Sequence, residues 1–489
     1  MTTAQAVETF DSLNPATDEV LGTYPVHTAE QVEAAVAKAR GAALWWNTLG
    51  FSGRAERLAR WRGSMARRMG ELCDVVSKET GKPAGDAQLE IVLAIEHLAW
   101  AAKNARKVLG SQRRAPGLLL SNQAATVEYQ PLGVVGVIGP WNYPVYTPLG
   151  SVSYALAAGN TVVFKPSEYT PGVGKWLVDT FAEAVPEHPV LQLVTGFGAT
   201  GAALANSGVD KIAFTGSAAT GKKVMAAAAE TLTPVVIEAG GKDPLIVDAD
   251  ADLEAAADAT VWGAFSNAGQ TCAGVERVYV HERVYDEFVA KVVDKAKKVD
   301  AGTHYGPMTM PSQLDVVRRH IADALARGGR ALVGGKDAVG DRFVKPTVLV
   351  DVPEDSAAVR EETFGPTVTI AKVRDMDEAI EKANDSVYGL GSTVFSKRRG
   401  LELARRLRTG QTAINAPLSF AGIASLPFGG LGDSGFGRIH GPEGLREFAR
   451  PKAIARQRFT APIALTTFAR SAKTEALVGK LIGRLHGRR

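Results

Sequence analysis

Cysteine is nearly missing from this chain. Two of 489 residues carry a thiol, Cys73 and Cys272. That excludes a disulfide framework and a cysteine-built zinc centre, and no metal site is expected. An excess of one charge is missing too. Lys and Arg total 56 against 52 Asp and Glu, a net charge of +4. The body of the chain has no concentrated basic face, so a nucleic-acid partner is not expected. No stretch reaches the roughly 18 uncharged apolar residues of a membrane span. The segment from Met1 to Asp18 is polar and has no apolar signal core, so the expected compartment is the cytoplasm. Internal repeats and long low-complexity linkers are also absent. What remains is a soluble, globular composition, 45% hydrophobic and 22% charged. The chain is too long for one ordinary core, so two or three lobes are expected.

Residues 30 to 110 read as helices, with Val32, Ala35, Val36 and Ala39, then Leu58, Trp61, Met65, Met69 and Leu72, at helical spacing. Cys73 sits beside Leu72 and Val76 and reads as a small core residue. Short strands follow at 134–138, 161–164, 191–194, 211–214 and 234–237, separated by helical stretches. This alternation predicts a doubly wound parallel sheet with ligands at the carboxyl ends of its strands, where Asn142, Lys165, Gly216 and Glu238 fall. From 241 to 435 a second alternation predicts another α/β lobe, with helices at 253–265, 284–299 and 314–327 and strands at 275–280, 347–350 and 367–373. Two further stretches, 124–130 and 453–459, read as exposed strands whose pairing would make an edge for a partner subunit. The chain therefore divides into 1–111 with 132–240 as a dinucleotide-binding domain, 241–435 as a catalytic domain, and 112–131 with 451–465 as a small β-arm for oligomerisation. Residues 471–489 follow as a basic amphipathic helix. In that helix Leu477, Val478, Leu481, Ile482 and Leu485 share a face, with Lys473, Lys480, Arg484 and Arg488 opposite. It has two readings, packing within a homodimer or homotetramer and weak contact with a membrane surface.

Cys272 lies in Phe265-Ser266-Asn267-Ala268-Gly269-Gln270-Thr271-Cys272-Ala273-Gly274. Small and amide-bearing neighbours let backbone crowd round the sulfur, a setting for a nucleophile. Six other motifs accompany it in order: Pro140-Trp141-Asn142-Tyr143-Pro144, Lys165-Pro166-Ser167-Glu168, Phe214-Thr215-Gly216-Ser217, Glu238-Ala239-Gly240-Gly241-Lys242, Glu361-Glu362-Thr363-Phe364-Gly365-Pro366 and Pro427-Phe428-Gly429-Gly430. Together they resemble the NAD(P)-dependent aldehyde dehydrogenases. The resemblance implies oxidation of an aldehyde to its acid through a thiohemiacetal and a thioester on Cys272, and a thiolate suits such a step because the thioester can be hydrolysed. Asn142 and the Cys272 N–H would hold the oxyanion. Glu238 would activate the deacylating water. The family usually has Leu after this Glu where the chain has Ala239, which bears on local packing and pocket width.

For the cofactor, Gly196-Phe197-Gly198-Ala199-Thr200-Gly201 matches the dinucleotide fingerprint. The resemblance instead directs the diphosphate to Gly216 and Ser217 at the start of the next helix, with Trp141 nearby. Lys165 and Glu168 would meet the adenosine ribose. A carboxylate there favours NAD over NADP, although NADP stays possible. Gly240 would let backbone pass close to the nicotinamide, Glu362 would hold its ribose, Phe364 would pack beside it, and Glu361 reads as structural.

The substrate tunnel would be lined by 143–150 and 416–426, both uncharged, with Tyr143, Tyr146, Thr271, Phe420 and Phe428 as lining candidates. Relatives specific for succinic semialdehyde carry an Arg near the position of Gly150. Its absence predicts a neutral, apolar aldehyde, aliphatic or aromatic. Alternatives are a CoA-acylating enzyme, a succinic-semialdehyde-type enzyme, and a binding protein on an inactive dehydrogenase fold.

Overall fold

A computed structural model describes residues 8–460 and 466–487. The ends of two expected segments, 461–465 of the arm and Arg488 of the terminal helix, lie outside the described residues. The chain divides into two compact units, 1–109 with 131–450, and 110–130 with 451–489.

In the larger unit, β1 (Thr9–Leu13) and β2 (Val20–Pro25) form an antiparallel ribbon. Four helices then fill 29–109: α1 (Ala29–Thr48), α2 (Gly50–Arg67), α3 (Met69–Thr80) and α4 (Ala84–Leu109). α1 starts with a capping box between Thr28 and Gln31, and the expected stripe Val32, Ala35, Val36 and Ala39 is its buried face. Cys73, on α3, is only half-buried.

The first large sheet contains β5 (Val134–Ile138), β6 (Thr161–Lys165), β7 (Leu191–Leu193), β8 (Lys211–Gly216), β9 (Val235–Ala239) and β17 (Gly435–Phe436), in the order β17-β9-β8-β5-β6-β7. Its strands run parallel except β17, which returns antiparallel along β9 and pairs Gly435 with Glu238. Every residue of β6 is buried. Such a strand, covered on both faces, reads as a continuous apolar run. Helices α5 (Tyr146–Ala158), α6 (Pro171–Ala184), α7 (Gly198–Asn206) and α8 (Ala218–Ala229) connect these strands.

The second sheet contains β10 (Asp243–Val247), β11 (Val275–His281), β12 (Arg330–Val333), β13 (Thr347–Val350), β14 (Thr367–Val373), β15 (Gly391–Phe395) and β16 (Gln411–Ile414), in the order β12-β13-β14-β11-β10-β15-β16. Only the edge pair β12/β13 is antiparallel. Helix α9 (Leu253–Phe265), capped by the Asp252 carboxylate on the Glu254 and Ala255 N–H groups, leads into the cysteine segment. The alternation in the sequence thus corresponds to two mostly parallel sheets. The two antiparallel edges were not anticipated, because β17 is two residues long and β12 carries no distinctive pattern.

In the smaller unit β3 (Gln112–Arg114), β4 (Gln123–Pro131) and β18 (Ala449–Gln457) form a three-stranded sheet in the order β18-β4-β3. The C-terminal helix spans Ala472–His486. At about 100° per residue its basic groups Lys473, Lys480 and Arg484 border the apolar arc rather than lie opposite it.

Candidate active site

α9 ends at Phe265, and the backbone then turns left-handed over three consecutive residues, with φ of 52° at Asn267, 56° at Ala268 and 71° at Gly269. A left-handed alanine costs about 1 kcal/mol, so tertiary contacts must hold this turn. The Asn267 amide donates to the carbonyls of Asn142 and Gln270, both at 3.1 Å. The Gln270 amide donates to the Asn267 carbonyl (3.0 Å), and its oxygen accepts from the Thr309 N–H (2.9 Å). Thr271 and Cys272 emerge from this clamp. The Asn142 amide donates to the Gln270 carbonyl at 3.0 Å, which leaves its second N–H for another acceptor.

Cys272 and Glu238 line one cavity of about 210 Å³, together with Tyr143, Tyr146, Thr271 and Phe428. Burial pushes the Cys272 thiol well above its usual range, and the Glu238 charge adds to the effect. Burial also raises Glu238 to about 7, against weaker opposing influences from the Cys272 thiol and the Thr215 hydroxyl. Neither Glu238 oxygen has a hydrogen-bond partner of normal geometry among the described residues. A buried carboxylate left this way can take up a proton near neutrality. The Tyr143 hydroxyl meets Thr271 Oγ1 at 3.0 Å, and the Tyr146 hydroxyl donates to the Ala421 carbonyl at 2.7 Å. Phe420 is displaced from its expected place. It is buried behind the wall, 6.2 Å from the Phe428 ring, while Pro417, Leu418, Ser419, Ala421 and Gly422 face the cavity.

The sequence reading missed α4 as a wall. Lys82, Asp86, Leu89, Glu90 and Leu93 line the same cavity, so it is not free of charge as the two uncharged stretches suggested. Lys82 and Glu90 are buried and form an ion pair at 2.7 Å. Lys82 also donates to the Asn142 carbonyl (2.8 Å), and Glu90 accepts from the N–H groups of Val145 (2.7 Å) and Tyr146 (3.1 Å). The pair thus grips the backbone on both sides of Tyr143. One signal was available: Glu90 interrupts the apolar stripe Ala87, Ile91, Ala94 and Leu98, and a charge at a core position calls for a partner.

β8 and β9 pair Thr215 with Glu238 and Gly216 with Ala239. Thr215 lines a second space, a groove of about 510 Å³ that also holds Trp141, Lys165, Glu168, Gly216 and Ser217. The carboxyl edge of one strand pair therefore serves both spaces. Ala239 is buried in that sheet's core. Ser217 caps α8 by accepting from the Thr220 N–H at 3.3 Å, and the first N–H groups of α8 have no partner within the helix. Lys165 lies 3.6 Å from Glu168; burial lowers its pKa, against the Glu168 charge. Gly198 and Gly201 border the same groove, so the fingerprint loop is a neighbour of Gly216 and Ser217 rather than remote from them. Free N–H donors, a carboxylate beside a lysine and the flat face of Trp141 suit a dinucleotide.

Glu362 and Phe364 belong to a loop tied down from below. Lys242 pairs with Glu276 and donates to Thr363 Oγ1 at 3.0 Å. Glu276 accepts from the Thr363 and Phe364 N–H groups at 2.9 and 3.2 Å. The Phe364 ring meets Trp141 edge-on at 5.6 Å. Glu362 accepts from the Gly241 N–H at 3.2 Å. Burial, then the Glu276 charge, raise its pKa to about 8. Its carboxylate lies where a Cβ at position 240 would be, so a side chain there would displace Glu362. Glu361 is exposed and pairs with Arg319.

This geometry agrees with what known proteins resemble. The sequence pattern of the aldehyde dehydrogenase family matches residues 1–454. The 4,4'-diapolycopene aldehyde oxidase of Methylomonas sp is 38% identical over 91% of this chain and 85% of its own length. A putative succinate-semialdehyde dehydrogenase [NADP(+)] of Mycobacterium ulcerans is 39% identical over 93% of this chain and 89% of its own length. Among solved structures, an NAD-dependent aldehyde dehydrogenase from Sinorhizobium meliloti superposes with a TM-score of 0.89 at 34% identity, covering 94% of this chain and 93% of that one. An NADP-dependent enzyme of E. coli superposes at 0.87 and 33% identity, covering 92% and 95%. The chain belongs to the aldehyde dehydrogenase family and is an NAD(P)-dependent aldehyde dehydrogenase.

Proposed function

We propose that this enzyme oxidises a neutral, apolar aldehyde, aliphatic or aromatic, to the carboxylic acid, with NAD preferred. The observation that carries the reading is the cavity at Cys272. Its one lysine is bound by Glu90, Asp86 and Glu238 add carboxylates, and the rest of its wall is largely apolar. A substrate carboxylate there would be buried without a partner, at a cost of several kcal/mol, roughly. Nor is there room for a long cation at position 150. A Cβ on Gly150 would lie 2.6 Å from the His440 ring nitrogen Nε2.

In the proposed cycle the Cys272 proton passes to Glu238, and the thiolate adds to the carbonyl carbon. The free N–H of the Asn142 amide and the Cys272 N–H hold the oxyanion. The bound cofactor would supply the acceptor for hydride, and departure of hydride from the former carbonyl carbon, with its two electrons, leaves a thioester on Cys272. Glu238 passes that proton to solvent, then takes a proton from the water that attacks the thioester; the acid leaves and the second proton returns to the Cys272 sulfur. The Lys82–Glu90 pair positions Asn142 through its backbone. The groove holds the dinucleotide, with its diphosphate at Gly216 and Ser217 and Trp141 alongside. Glu168, next to Lys165, takes the adenosine ribose. Gly240, Glu362 and Phe364 form the nicotinamide end. On this reading residues 1–111 and 132–240 are the dinucleotide-binding domain and 241–435 the catalytic domain. The arm of 112–131 and 451–465, with its strands β3, β4 and β18, serves homodimer or homotetramer assembly.

Initial rates on hexanal, benzaldehyde and succinic semialdehyde, with NAD and NADP in parallel, test the substrate. We expect kcat/KM at least about tenfold higher for the two apolar aldehydes, because the unpaired carboxylate is penalised. A preference for succinic semialdehyde, the substrate in the mycobacterial relative's name, would overturn the reading. NADH formation that requires CoA would move the enzyme to the acylating class.

A further inference from the structure

We propose that the C-terminal helix, Ala472–His486, docks the enzyme on the anionic surface of a lipid bilayer. The helix is capped by Ser471 at Thr474, and none of its residues is buried. Leu477 is 54% exposed, Leu481 36% and Leu485 48%. Together with Val478 and Ile482 they form one arc of about 140°, and Lys473, Lys480 and Arg484 crowd one border of it. Phe468, four residues before the helix start, is fully exposed.

Charge is segregated in the same place. Residues 466–489 carry six Lys and Arg against Glu475 alone, a net +5 in a chain of net +4, so the rest of the protein sums to −1. The family match ends at residue 454. The helix therefore lies outside the residues matched to the family.

An apolar arc bordered by cations fits a helix lying in the plane of an interface. The leucines enter the acyl boundary, and the long basic side chains reach back to lipid phosphates. A second copy of the helix is a poorer occupant, because it would set +5 against +5. Among the described residues no helix is long and apolar enough to cross a membrane, so the helix lies on the surface. An apolar aldehyde dissolves in the same bilayer, so docking would bring the enzyme to its substrate. That consequence rests on the proposed substrate class, whereas the docking itself does not.

The test is co-sedimentation of the full-length enzyme, without aldehyde, on phosphatidylcholine vesicles with and without about one-third phosphatidylserine. We expect binding only to the anionic vesicles, and release at about 0.5 M salt. Leu477→Glu with Leu481→Glu, and separately Lys480→Glu with Arg484→Glu, should each weaken binding at least about tenfold. Both variants should keep wild-type turnover of a water-soluble aldehyde, which shows that they fold. Failure of the wild type to bind anionic vesicles overturns the proposal, as does undiminished binding by either double variant. If the leucine variant instead loses molar mass in light scattering and the wild type ignores vesicles, the arc is a contact between copies and docking is refuted. Aldehyde plays no part in the binding measurement, so a wrong substrate class would leave its outcome unchanged.

Discussion

The cavity at Cys272 and the groove at Ser217 share a strand pair, yet they are walled differently. The cavity is faced by Leu89, Leu93, Trp262, Leu418, Phe428 and Ile439. Its ionisable groups are paired with each other or pushed from their usual pKa by burial. The groove is faced by Lys165, Glu168, Ser217, Thr220 and Lys223 and by the start of α8. One is suited to an apolar reactant. The other is suited to a charged ligand held by fixed dipoles. Glu238 and Thr215, side by side on β9 and β8, mark the border. A single residue step along the sheet therefore separates a place where charge is costly from one where it is welcome.

The sharpest way to break this division is at the sulfur. Cys272→Ala should lower turnover by more than about 10³-fold while NAD binding, followed by protein fluorescence, is unchanged. Parallel loss of NAD binding would mean that cavity and groove are not separate functions.

Glu238→Gln comes next. It should slow steady turnover by about 10²-fold or more and leave a burst of NADH, because slow loss of the Cys272 proton to solvent during preincubation with cofactor suffices for one hydride transfer, whereas every turnover needs the base for water. The wild-type pH profile sharpens the point. Glu238 is raised to about 7, and only its carboxylate form accepts a proton. Deacylation should therefore fall as pH drops below about 7, and that inflection should vanish in the Gln variant.

Lys82→Met strikes the wall of the cavity alone. It leaves Glu90 buried with only two amide donors, and breaking such a pair costs about 3–5 kcal/mol. The melting temperature should fall, and kcat should fall with little change in the Kd for NAD. Adding Glu90→Gln should recover part of the lost stability.

Glu168→Gln, on the groove side, is the mildest. It should raise kcat/KM with NADP relative to NAD by about tenfold, with aldehyde preference untouched. An altered aldehyde preference would show that the two spaces are coupled.

Much of this division was legible in the chain. Val134–Ile138, Thr161–Lys165 and Lys211–Gly216 announce buried parallel strands through their apolar, β-branched runs. The motifs at their carboxyl ends name the groove residues one by one. Other parts were hidden for identifiable reasons. Phe420 looked like tunnel lining because its segment is apolar, but which face of a four-residue helical turn points inward depends on Phe428 beneath it. The basic residues of the C-terminal helix looked opposite to its leucines until the helical angle placed them at the border. Glu90 breaks the apolar stripe of α4 and so calls for a partner, but nothing near Asp86 and Glu90 in sequence says that α4 will wall the cavity.

By itself, the sequence determined the candidate nucleophile, the two alternating α/β lobes and the two uncharged stretches at 143–150 and 416–426, because these depend on residue type and local period. The tertiary structure decided the rest. It set the left-handed turn before Cys272, the pKa of about 7 at Glu238, the grip of Lys82 and Glu90 on the backbone around Asn142, and the fit of Glu362 over Gly240. Each arises from burial and from partners far apart in the chain. Lys82 and Asn142 are 60 residues apart, and Gly241 and Glu362 are 121 apart. The free energy of a buried charge depends on what surrounds it in space, and no local pattern of residues encodes that.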